Sequence, residues 1–125
     1  MSVGNSPYSR RAVVLYVDPI FSRQQHVRTL LTRSGFTPLI HSSFVDAAVD
    51  VPEKKIGQYD IAVIRSDDTD DSSKLVGVLK STHPKTPVIV LGDNGIPDVD
   101  KHIQLPYSQT ELTHEIKRQL QRARA

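Results

Sequence analysis

There is no cysteine in this sequence, which excludes disulfides, thiolate metal sites and cysteine nucleophiles together. No apolar run approaches the roughly 20 residues that cross a bilayer, and the first residues lack the apolar core of a signal peptide. A soluble, cytoplasmic protein without membrane contact is expected. Also missing are a glycine-rich phosphate loop, a nucleophile elbow, any internal repeat and any low-complexity tract. No nucleophile–base pair can be assembled, so no enzyme is expected. The five histidines, His26, His41, His83, His102 and His114, stand apart with no paired ligand spacing, so neither a metal nor a cofactor is expected. The formal charge is only +2, too weak a field to make the chain a general nucleic-acid binder.

What remains is one domain of 125 residues, long enough for a proper core. Residues 1–11 are polar and read as a flexible leader, with the folded domain spanning 12–125. Residues 12–17 and 61–64 are unbroken apolar runs rich in β-branched side chains, the pattern of strands buried on both faces. Residues 37–41, 87–91 and 102–105 read as three more strands. Asp18-Pro19 opens a helix whose apolar face is Ile20, Val27, Leu30 and Leu31, and Gly35 stops it. A weaker helix carries Phe44, Ala47 and Ala48 up to Pro52. Leu75, Val76 and Leu79 mark a third, ending near His83. Ser108 with Glu111 forms a capping box for a last helix with Leu112, Ile116 and Leu120 on one stripe. Strands this apolar, alternating with helices, predict a parallel sheet covered on both faces.

The central strand ends abruptly at Arg65, followed by Asp67, Asp68, Asp70 and Asp71. In an open α/β sheet, sites form beyond the carboxyl ends of the strands. A cation beside a loop of acids therefore stands where chemistry is expected.

The segments VLYVDP, LLTRSGFTPLIHSSFVDAA, YDIAVI, TPVIVL and LPYSQTEL, in this order and spacing, resemble the receiver domain of two-component response regulators from residue 11 onward. The resemblance implies a flavodoxin-like fold, a doubly wound five-stranded parallel sheet in order 2-1-3-4-5. It also implies a cis peptide at Leu105–Pro106, matching the family's Lys-Pro. Of the family's two Mg²⁺-binding acids, one falls on Asp18 and the other on Pro19. The phospho-acceptor aspartate falls on Arg65, the hydroxyl residue after the fourth strand on Gly92, and the lysine on Leu105. The aromatic switch position falls on His102. A guanidinium stays protonated and offers no lone pair, so it is no phosphoryl acceptor, and it repels Mg²⁺. No Mg²⁺-dependent phosphorylation is expected: the resemblance is to a degenerate member, a pseudo-receiver with its switch removed.

Several readings stay open. Asp18 is a relict metal ligand, a helix cap, or the partner of Arg65 in an internal ion pair. Asp67 and Asp68 are alternative partners of Arg65, an acceptor displaced along the loop, a divalent-cation site, or a solvated loop capping the next helix. Lys117, Arg118, Arg122 and Arg124 make the last helix basic, either to meet phosphates or to complement a helix C-terminus. Residues 92–101 are too few for the family's fourth helix, which is expected to be shortened or missing. A contact surface is then expected around Ile96, Pro97, Val99 and Ile103, used by a protein partner or a second copy. The expected function is a phosphorylation-independent protein-interaction module in bacterial signalling. The alternative is a ligand-sensing or nucleic-acid-binding domain using the acidic pocket or the basic last helix.

Overall fold

A computed structural model describes residues 11–66, 69–92 and 96–124. The strands are β1 (Val13–Val17), β2 (Thr37–His41), β3 (Ile61–Arg65), β4 (Val88–Leu91) and β5 (Lys101–Ile103). They form one sheet in the order β2-β1-β3-β4-β5, every pair parallel. The helices among the described residues are α1 (Phe21–Arg33), α2 (Phe44–Asp50), α3 (Thr69–Thr82) and α4 (Gln109–Arg124).

Because strand side chains alternate between faces, the two sides of the sheet separate cleanly. Val14 and Tyr16, Ile61 and Val63, Ile89 and Leu91, and Ile103 pack under α1 and α4. Leu15 and Val17, Ala62 and Ile64, and Val88 and Val90 pack under α2 and α3. Both faces are thus covered, as the unbroken apolar runs require. Gly35 takes φ 89° after α1, a conformation most side chains resist, and this lets the Phe36 N–H donate to the Leu31 carbonyl at 2.9 Å. Ser43 and Ser108 begin α2 and α4, their hydroxyls accepting from Asp46 N–H at 3.1 Å and Glu111 N–H at 3.0 Å.

Three expectations change. The first helix starts at Phe21, with Ile20 as its N-cap and no side-chain cap. Asp18 and Pro19 therefore precede it, and Ile20 is 44 % exposed instead of lying on the buried face. β5 ends at Ile103, so Leu105 has already left the sheet; its bond to Pro106 is cis, as expected. Ile96 and Ile103 are each only 1 % exposed and lie on opposite sides of the sheet. Ile96 folds onto the α2–α3 side with Val99 against it, while Pro97 and Asp98 form an exposed turn. The four residues proposed as a contact surface thus form no patch, because burial of Ile96 over β4 is favoured over leaving it in water. Residues 96–100 form no helix.

Candidate functional site

The parallel sheet brings the carboxyl ends of β1, β3 and β4 side by side, and with them Asp18, Arg65 and Gly92. The pairings Val17 with Ile64 and Arg65 with Leu91 fix the register. Leu105 approaches from beyond β5. Pro19 is exposed and points to no shared chemistry. Asp67 and Asp68 lie outside the described residues.

Asp18 is fully buried, yet it is not the partner of Arg65. Its Oδ2 accepts from the Tyr16 hydroxyl at 2.5 Å and from Arg23 Nε at 2.9 Å. Its Oδ1 accepts from Arg23 Nη2 at 2.8 Å and from the Ile20 N–H at 3.0 Å. Arg23 forms this two-pronged pair because helical side chains lean toward the helix N-terminus, which lays a residue of the first turn back over the preceding loop. The family's Mg²⁺ does not fit here: both oxygens of the one remaining acid already serve four donors, and a guanidinium covers them. Among the described residues, no group of three His, Asp or Glu side chains is placed to hold a metal.

Arg65 is half-buried at the end of β3. By strand alternation it projects on the same side as Tyr16, toward α1 and the segment before α4. It lines a cavity there with Arg23, Leu105 and Tyr107. Gly92 faces the next loop so closely that an added Cβ would lie 2.7 Å from the Ser66 carbonyl oxygen, and its φ is 151°. Ser66 is buried, its N–H donating to the Leu91 carbonyl at 2.9 Å, and the Gly92 N–H donates to Ile103 at 2.9 Å. The hydroxyl-bearing position of the receiver pattern is thus filled by backbone. Leu105 and Tyr107 are half-buried against the α1–α4 side of the core.

Sequence reading missed Arg23, Tyr16 and Tyr107. Tyr16 was legible as core but not as a donor; the signal was an acid two residues after it, on the same side of an extended chain. Burial, then the hydrogen bond to Asp18 and its negative charge, hold the Tyr16 phenol well above the usual tyrosine range, against the opposing pull of Arg65. Burial likewise raises Tyr107, with Arg65 opposing. Burial also pushes Tyr59, near the amino edge of the sheet, up to about 12. A phenol that keeps its proton in the folded state beyond the unfolded value near 10 contributes stability below about pH 10 that is lost as pH rises. For buried Tyr16 the slope reaches about 1.4 kcal/mol per pH unit. Urea denaturation between about pH 9 and about pH 11.5 should show falling stability, and Tyr16→Phe should flatten that fall. An unchanged slope in Tyr16→Phe would contradict this assignment.

The remaining charged features are ordinary. Lys117, Arg118 and Arg122 are exposed on α4, and Arg118 Nη1 lies 3.5 Å from Glu115 Oε1. His41 pairs with Asp50 at 3.3 Å, His83 Nδ1 meets the Tyr59 hydroxyl at 2.8 Å, and His26 meets Gln109 at 3.2 Å. No helix of the described residues is long and apolar enough to cross a membrane.

No protein-family model and no curated protein matches the sequence. Solved structures do match the fold. The receiver domain of a CheY-like response regulator from Methanospirillum hungatei JF-1 superposes with a TM-score of 0.80 at 15 % identity, covering 91 % of this chain and 97 % of that one. The signal receiver domain of an HD domain-containing protein from Pseudomonas fluorescens Pf-5 gives 0.78 at 18 % identity, covering 92 % and 98 %. The receiver domain of a sensor histidine kinase from Pseudomonas aeruginosa PAO1, whose structure holds a magnesium ion in the active-site cleft, gives 0.75 at 14 % identity over 89 % and 98 %. The chain has the receiver fold.

Proposed function

We propose that this domain is a pseudo-receiver: a signalling module that acts through protein contact and does not depend on phosphorylation. The observation that carries this reading is the group at the acceptor position. Arg65 ends β3 where the receiver pattern needs a carboxylate oxygen to attack phosphorus. Gly92 and Leu105 supply neither the hydroxyl nor the ammonium that would steady a phosphoryl group, and Asp18 is occupied by Tyr16, Ile20 and Arg23. The turn at Pro97-Asp98, with Ile96 folded beneath it, agrees with a fourth receiver helix that is shortened or lost. With Ile96 and Ile103 in the core, a protein partner or a second copy would meet the large apolar side chains that are exposed among the described residues: Ile20 and Phe21 at the start of α1, and Val45 and Val49 along α2.

Beryllofluoride, which mimics an aspartyl phosphate, tests this. Added with Mg²⁺ to ¹⁵N-labelled protein, it should leave the amide spectrum unchanged. Saturable shifts clustered at residues 18, 65, 66 and 92 would overturn the reading.

A further inference from the structure

We propose that the cavity between the loop 51–60 and His83 binds a flat, uncharged heteroaromatic ligand of the nucleobase class. It lies at the amino edge of the sheet, the end opposite Asp18, Arg65 and Gly92. Its place follows from the topology: the strands run parallel, so the segment entering β3 and the segment leaving α3 meet there. Its volume is about 580 Å³, within the range of small-molecule sites.

The first observation behind this is a ring pair. Tyr59 and His83 stand edge to face, their centroids 5.2 Å apart and their planes at 79°. The Tyr59 hydroxyl meets His83 Nδ1 at 2.8 Å, which holds the two rings together while His83 stays exposed and both line the cavity. Rings held this way are a preformed stacking surface, usable by any base because every base has a π-face.

The second observation is Lys54. The Lys55 N–H donates to the Asp50 carbonyl at 2.9 Å and the Lys54 N–H to that of Val51 at 3.1 Å. This pair of bonds closes a helix end through a left-handed residue, where glycine is relaxed. Here that residue is Lys54, at φ 60°. A lysine kept at a backbone cost beside the cavity points to a task for its ammonium.

The other lining residues narrow the ligand. Lys54 and Asp60 bring opposite charges to the cavity, so neither an anion nor a cation is favoured outright. Asp60 is already engaged, its Oδ2 accepting from the Val13 N–H at 2.7 Å. An ammonium only donates, so the ligand must present an acceptor, as the ring nitrogens and carbonyls of nucleobases do. Ile56 adds an apolar wall that rewards burial of the ring. Such a site is independent of the protein contact proposed above.

The test is an amide-spectrum titration of the full chain with adenosine, with ribose, which lacks the base, and with benzyl alcohol, whose ring carries no acceptor. Adenosine should saturate at low millimolar concentration, with shifts at residues 54–60 and 83. Ribose and benzyl alcohol should each bind at least roughly tenfold more weakly. Lys54→Gly separates ligand binding from structure. Its urea midpoint should equal or exceed the parent's, since glycine relaxes the turn, while adenosine should bind at least roughly tenfold more weakly. His83→Ala, at an exposed position, should weaken adenosine as much while leaving the circular dichroism spectrum intact. The proposal is overturned if adenosine fails to saturate, if ribose or benzyl alcohol binds as well, if the shifts lie elsewhere, or if folded Lys54→Gly or His83→Ala binds adenosine undiminished.

Discussion

Arg23→Ala should destabilise the domain by about 3 kcal/mol, the loss typical when one member of a buried ion pair is removed and the other is left in place. The asymmetry of the pair sets this size. The Asp18 side chain is 0 % exposed and that of Arg23 25 %, so the acid stays in the interior after its cation goes. Tyr16 and the Ile20 N–H still donate to it, which keeps the loss finite. Asp18→Asn in the Arg23→Ala background should recover part of the stability by removing the stranded charge. A double-mutant cycle by urea denaturation measures the coupling. A coupling below roughly 0.5 kcal/mol would mean that the pair behaves as a surface bridge.

Gly92→Ala should cost at least about 2 kcal/mol, because two penalties fall on one atom. The backbone φ of 151° is one that L side chains rarely adopt, and the new Cβ would sit 2.7 Å from the Ser66 carbonyl oxygen. That oxygen belongs to backbone held by the bond from the Ser66 N–H to Leu91, so it cannot swing aside as a flexible side chain would. Gly92→Thr, which restores the hydroxyl of the receiver pattern, should be destabilised at least as much. If either variant unfolds at the same urea midpoint as the parent, the close approach is not a constraint on this position.

These two residues mark where the sequence was legible and where it was not. Residues 13–17, 61–65 and 88–91 announce themselves because strands buried on both faces tolerate almost nothing but apolar side chains. Parallel pairing then brings Asp18, Arg65 and Gly92 to one edge, so the location of the site follows from local pattern. Its internal wiring does not. Asp18 pairs with Arg23 rather than Arg65 because a helical side chain leans back over its own N-terminus, a matter of direction that spacing alone does not reveal. Asp18-Pro19 has the composition of a helix start, but the helix begins at Phe21, and the Asp18 carboxylate accepts instead from the Ile20 N–H and from Arg23. Ile96 is one apolar residue in a turn-rich stretch, and nothing local distinguishes a lid from a contact point. Gly92 reads as a lost hydroxyl; only the neighbouring loop shows that a side chain there would collide.

Intact mass after incubation with acetyl phosphate and Mg²⁺ tests the proposed pseudo-receiver most directly. The mass should be unchanged at every time point, in the parent and in Arg23→Ala alike. Stoichiometric addition of one phosphoryl group, mapped to Asp18, Asp67 or Asp68, would contradict it.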